Sequence, residues 1–382
     1  MGNVVEKVEL GENAKEIVTH FKRDKAGNLV EKNVNHGQDK QKTNYYYDAL
    51  NQLNKAINAS ATVSLSYDPL GRLLKEESTV HKGRYNTSVT HSYDAVGNRI
   101  GTMLPNGKKV NWHYKADNYL ESIDIDGETL TEYQRDALNR EISKTQGLLQ
   151  STHEYDSLGR LIKQATNKQG KGQLLQRAYN YDKVGELLSI EDSRKGKFVY
   201  GYDKLGRVTH AKTPSKEESF AFDPAHNLIE KDDFRKESNR VETYQDKRYT
   251  YDEFGNIKSK KISSHTQMEF SYNLEHQMTQ AKISKNNITQ NYRYSYDAFG
   301  RRVAKTDEFG TTYFTWDGNR LLSEKRGAKE QTYIYEQDGF VPLATLDQAN
   351  KISYYHTHPK GISSPMLRAP PRYTTRDNQY PK

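Results

Sequence analysis

The sequence predicts an all-β fold, a β-solenoid of stacked strand–turn–strand units. Three observations predict it: an internal repeat of about 21 residues, a ring–acid pair at the head of each repeat, and 28 tyrosines in a chain whose mean hydropathy is only −1.02. A fixed period of this length marks small units that bury one another by stacking.

The totals exclude several classes before any motif is read. Charged residues make up 28% of the 382 and hydrophobic residues 34%, values that lean toward disorder. Tyrosine contradicts that leaning, because it buries a ring while keeping a polar tip, so a thin core can be built at low hydropathy. There is no Cys, which excludes disulfides and thiolate metal sites. No apolar run approaches the ~20 residues of a membrane span. The start, Met1-Gly2-Asn3-Val4-Val5-Glu6, has neither the form of a signal peptide nor, with Glu6, that of a myristoylation site. The net charge is +8, with Lys and Arg dispersed along the chain rather than gathered on one element, which argues against nucleic-acid binding.

The repeat is anchored on the residue preceding a recurrent Asp. Anchors fall at Arg23, Tyr47, Tyr67, Tyr93, Tyr114, Arg135, Tyr155, Tyr181, Tyr202, Phe222, Tyr251, Tyr272, Tyr296, Trp316 and Tyr335, spaced by 19 to 29 residues. The next residue is usually Asp, as at Asp48, Asp68, Asp94, Asp156, Asp182, Asp203, Asp252 and Asp297. Four after the anchor stands Gly, Asn or His, from Gly27 and Asn51 to His276 and Gly300, the types that accept positive φ most readily. Six or seven after it comes an aliphatic residue, such as Leu73, Ile100, Leu161, Leu187, Val208, Leu228, Ile257 or Val303.

These positions dictate a geometry. A second ring or apolar group two residues before the anchor, as at Tyr45, Leu65, Trp112, Tyr179 and Tyr200, shares the anchor's face of a strand. The Asp opens a turn by accepting backbone N–H bonds, and the Gly/Asn/His residue closes it in the left-handed region. The aliphatic residue begins the returning strand on the same buried face. Such a hairpin is too small to stand alone and needs its neighbours. Helices are excluded by the absence of any long 3.6-residue period. A ring–acid pair recurring this often reads as structural rather than catalytic.

Strings such as Tyr67-Asp68-Pro69-Leu70-Gly71-Arg72-Leu73, Tyr155-Asp156-Ser157-Leu158-Gly159-Arg160-Leu161 and Tyr296-Asp297-Ala298-Phe299-Gly300-Arg301-Arg302 closely resemble the Rhs/YD-repeat family, over roughly residues 20–358. Residues 335–344, Tyr-Glu-Gln-Asp-Gly-Phe-Val-Pro-Leu-Ala, followed by Tyr354-Tyr355-His356-Thr357, are similar to the C-terminal core of Gram-negative Rhs toxins. The resemblance implies a YD-repeat sheet spiralling into a hollow shell around a cytotoxic C-terminal domain. It also implies export, commonly by type VI secretion, from the bacterial cytoplasm to the outside or the cell surface. Related shells occur in Tc insecticidal toxins and in teneurins.

The family continues into an Asp-Pro-Gly-containing self-cleavage motif and a toxin domain, and has Asp where His358 stands. This sequence is therefore expected to be a shell segment cut short of both, by truncation, frameshift or a split assembly. His356-x-His358-Pro359 matches the start of a JAB-type zinc motif, but the remaining ligand positions hold Met366 and Ala369, which cannot bind zinc. No His-Glu-x-x-His helix, P-loop, nucleophile elbow or dinucleotide fingerprint occurs. The expectation is a non-enzymatic scaffold with no catalytic residue, metal or cofactor. Three regions are expected: a degenerate leading segment at 1–20, the array at 21–355, and an irregular Pro/Arg-rich tail at 356–382. Expected partners are the remaining shell, its toxin cargo and the secretion machinery, with self-association through open sheet edges. The alternative function is a carbohydrate- or cell-surface-binding module working through exposed rings.

Overall fold

The computed structural model describes residues 3–222, 224, 226, 228–229, 240–244, 246–336 and 339–355. The histidine pair at 356 and 358 and the tail at 356–382 lie outside the described residues. Among those described there is no α-helix, only one 3₁₀ turn at Glu12–Ala14 and a long succession of strands. The all-β expectation stands. Strands such as Leu53–Ile57, Ala61–Tyr67, Leu73–Val80 and Tyr85–Tyr93 each pair antiparallel with the next in sequence. The leading residues take part too, Glu6–Leu10 pairing with Glu16–Arg23.

Contacts divide the chain into two units. The first joins Met1–Glu132 with Asp232–Tyr355, and the second is Tyr133–Lys231. The first unit thus holds two stretches of the array, an early one and a late one, while the second holds a single stretch.

Most of the described hairpins carry the predicted junction. The returning strand starts six residues after the anchor, at Leu29, Leu53, Leu73, Leu161, Leu187, Val208 and Ile257 among others. Directly before the anchor the register slips by one residue, as between Ser66 and Tyr67, Asn180 and Tyr181, and Ser295 and Tyr296. Tyr67 pairs with Leu73 while Ser66 pairs with Lys75, so Leu74 is the extra residue of a β-bulge. This corrects the expectation that the aliphatic residue lies on the buried face whether it stands six or seven after the anchor. Leu161, Leu187 and Val208 are buried, whereas Ile100 and the bulge residues Leu74, Ile162 and Leu188 are exposed. Leu228, at the sixth position, is exposed as well. Bulging turns one of two consecutive aliphatic residues outward.

In the first unit the late stretch packs on the early one. Val303 and Ala304 join Ala61 and Val80, with Tyr85 and Tyr313 beside them. Those two rings stack with centroids 4.4 Å apart and planes 16° from parallel. In the second unit Leu161, Tyr179, Leu187 and Ile190 form the core, flanked by Tyr155, Tyr181, Phe198 and Tyr200. There the anchor, the ring two residues before it and the aliphatic residue six after it meet as the sequence predicts.

Candidate functional site

The repeated junction is the most elaborate chemical arrangement in the chain. Asp68 Oδ1 accepts the backbone N–H groups of Leu70 and Arg72, at 3.0 and 2.9 Å. Its own N–H donates to Arg72 O, and the Gly71 N–H donates to Asp68 O. Gly71 sits at φ +81°, a conformation in which a Cβ is strained. At each turn from Gly27 to Gly300 the corresponding residue has positive φ, including Asn51, Asn118, Asn139, His226 and His276.

The junction then reaches its neighbours in both directions. Tyr67 Oη donates to Leu53 O of the preceding hairpin at 2.7 Å, Tyr181 Oη to Leu161 O at 2.8 Å, and Tyr296 Oη to Met278 O at 2.7 Å. Even the odd anchor Trp316 follows, its Nε1–H donating to Arg302 O. Forward, Arg72 pairs with Asp68 through Nε, donates from Nη1 to Asp94 O, and lies over the Tyr93 ring. Arg160 repeats all three contacts with Asp156, Asp182 O and Tyr181. Partial burial raises the carboxyls of Asp68 and Asp156, but the backbone N–H and guanidinium of the following arginine outweigh it and hold both below the ordinary value. The ring–acid pair is a two-way clamp between repeats. Because these ring hydroxyls are committed to the hairpin behind, a sugar finds no free polar tip on them, and the carbohydrate reading is not favoured.

Sequence reasoning found the turn of the clamp but neither its reach between hairpins nor the charges buried where the two stretches of the first unit meet. Arg301 Nη2 lies 2.7 Å from Glu76 Oε1 and its Nε 2.7 Å from Asp297 Oδ2, with all three residues buried. Burial raises the Glu76 carboxyl, and Arg301 offsets this only in part. Nearby, Asp317 Oδ2 accepts from Arg99 and Arg320 at 2.6 Å each. Burial would raise Asp317, but Arg99 and Arg320 hold it below the usual carboxylate range. His91 Nδ1 meets Thr102 Oγ1 at 2.9 Å, and burial lowers the imidazole to about 4. Arg99 and Asp317 are 218 residues apart. No local pattern announces such a pair, although Glu76 on a strand's apolar side was a hint.

The second unit carries its own polar row. Arg177 Nε donates to Asp192 Oδ2 at 2.7 Å, and Tyr179 Oη donates to Gln164 Oε1 at 3.2 Å. Gln164 Nε2 stands 3.4 Å from His153 Nε2, and His153 Nδ1 is 3.5 Å from Glu141 Oε1. Burial lowers His153 to about 4. The members lie on consecutive strands and bridge them like rungs. Among the described residues no group of three or more His, Asp or Glu side chains is placed to hold a metal ion, and no helix is long and apolar enough to cross a membrane.

Comparison with known proteins gives the same picture. The model of the family described as Teneurin YD-shell matches residues 60–220 and 132–361. Double-stranded DNA deaminase toxin A of Burkholderia cenocepacia (strain H111) is 29% identical over 339 residues, covering 78% of this chain and 23% of the toxin. Toxin protein Tse5 of Pseudomonas aeruginosa is 26% identical over 360 residues, covering 80% of this chain and 27% of the toxin. The chain thus spans about a quarter of the length of these relatives. The crystal structure of TcdB2-TccC3-TEV shares the fold with a TM-score of 0.61 at 14% identity, covering 90% of this chain and 23% of that one. A clamp repeated through the described hairpins, together with a family match across most of the sequence, places this chain in the Teneurin YD-shell family, among the Rhs/YD-repeat proteins.

Proposed function

We propose that this chain is a non-catalytic wall segment of the shell of an Rhs-type polymorphic toxin. The observation that carries the reading is the clamp itself: its ring hydroxyls and guanidinium groups bond from one repeat to the next, which is the work of a wall. The Burkholderia and Pseudomonas relatives are toxins by name, and this chain matches about a quarter of each. The reading takes 21–355 as the array and 1–20 as its lead-in. Its partners are the remaining wall, the enclosed toxin domain and the export machinery, with type VI secretion as the route from the bacterial cytoplasm.

The test separates wall from weapon. Expressed in a bacterium lacking any immunity protein, the chain leaves growth unchanged and leaves duplex DNA neither deaminated nor cut. Growth arrest or DNA modification by the purified chain would overturn the assignment.

A further inference from the structure

The residue that closes each turn varies with a side chain on the hairpin before it. Five after the anchor, where Arg72 and Arg160 make their forward contacts, other units carry Asn, Gln or Glu. Asn28 Nδ2 donates to Asp24 Oδ2 of its own turn at 3.0 Å, and to Oδ1 of Asn51, the closing residue of the next turn, at 2.8 Å. Asn98 divides its two amide hydrogens in the same way between Asp94 and Asn118. Asn256 does so between Asp252 and His276. His276 Nδ1 is therefore the acceptor, which assigns its proton to Nε2, donating to Glu9.

A longer side chain at that place meets a glycine instead. A Cβ added to Gly71 would lie 3.2 Å from Gln52 Nε2, and one on Gly206 would lie 2.8 Å from Glu186 Oε1. On Gly300 it would lie 3.1 Å from Gln277 Nε2, whose own turn holds it there, Asn273 Nδ2 donating to Gln277 Oε1 at 2.7 Å. Arg72 and Arg160 reach into turns closed by Gly97 and Gly185. Tyr119 and Arg207 depart from the pattern, since Asn139 and His226 follow them. Glycine suits positive φ best, so local strain gives no reason for an asparagine at φ 60° in Asn51. The reason lies one hairpin back.

We propose that the side chain five after the anchor and the closing residue of the next turn are a matched pair that determines which hairpin can follow which. There are two classes, Asn with Asn or His, and a long side chain with Gly. Each class excludes the other: a short amide facing Gly loses its acceptor, and a long side chain facing Asn is pushed off its seat. Stacking order in the wall is thereby specified by side-chain length, on top of the general grip of ring and acid. This goes beyond the wall function, and it can fail while that function stands.

Hydrogen exchange of the full chain reads the pairing at two successive junctions. N51G removes the acceptor of Asn28 while easing the backbone, and is expected to speed exchange across residues 48–57 about threefold. N28Q/N51G converts the junction to the other class and returns exchange to within about twofold of wild type. In the reverse direction, G71N speeds exchange across residues 68–77, and Q52N/G71N restores it. N28Q and Q52N complete the two double-mutant cycles. All four positions lie at exposed or half-exposed turns, so the variants keep the wild-type β-sheet circular dichroism. An N51G chain that exchanges no faster than wild type overturns the proposal, as do double variants that loosen by the product of their singles.

Discussion

The two units are built from one repeat yet solve burial differently. In the first, a late stretch covers an early one, so apolar side chains at Ala61, Val80, Val303 and Ala304 meet and charges from both stretches are locked together. In the second, a single stretch gathers its own rings and aliphatic residues around Leu161, Tyr179, Leu187 and Ile190, with a polar row bridging its strands. The bulge position shows the contrast in one residue. Val303, seven after its anchor, is buried where it packs on Ala61 and Val80, whereas Leu74 and Ile100 in the same unit and Ile162 and Leu188 in the second are exposed. The repeat specifies its junctions, and the neighbouring sheet specifies which further face becomes core.

The largest test of that contrast is Arg301→Ala. It leaves Glu76 and Asp297 buried without their cation and is expected to cost about 3–5 kcal/mol. Hydrogen exchange should quicken in peptides covering 73–80 and 302–317 while 161–192 stays protected. Equal loosening of both regions would show that the units do not differ as described.

Acidification should next affect both units through one residue each. His91 and His153 are held to about 4 by burial, against 6.5 for the unperturbed group. Below pH 6.5 the unfolded chain takes up protons that the folded chain refuses, so the stability present above that value is lost as pH falls toward 4. The shift corresponds to about 3 kcal/mol per histidine. Thermal melts of His91→Gln and His153→Gln from pH 7 to pH 4 should each show a flatter dependence than the wild type. A slope untouched by either change would remove burial as its cause.

A smaller effect separates seated from unseated turns. Phe254 lies on Gly11 and meets His36 edge-on at 5.4 Å. Phe254→Ala is expected to cost about 1–2 kcal/mol, because part of the ring is buried. Leu158→Ala, at the same repeat position in the second unit, should change stability by less than about 0.5 kcal/mol. Denaturant titration monitored by region reads both. If the two changes cost the same, the seat under Phe254 contributes nothing.

Much of this was legible because the governing interactions are local. Asp68 caps its own turn, and Gly71 supplies the positive φ. The bulge was half legible: pairs such as Leu73-Leu74 and Leu187-Leu188 recorded it, but only strand pairing shows which member turns outward. The buried charges were not legible, because Glu76 finds Arg301 only after the late stretch is in place. Chemistry that depends on which sheet covers which leaves no period in the sequence.

The recurrent slip before the anchor also decides what can change without harm. Leu53–Ile57 and Ala61–Tyr67 make short arms, Leu161–Lys168 and Gly172–Tyr181 long ones, yet both hairpins close on the same one-residue offset at the next junction. Insertions are absorbed at the far bend, where glycines such as Gly170 and Gly172 accommodate them. Arm length is thus free to drift or be engineered while the hinge-like end keeps its stereochemistry, as a spiral stair can have treads of unequal width on risers of constant height.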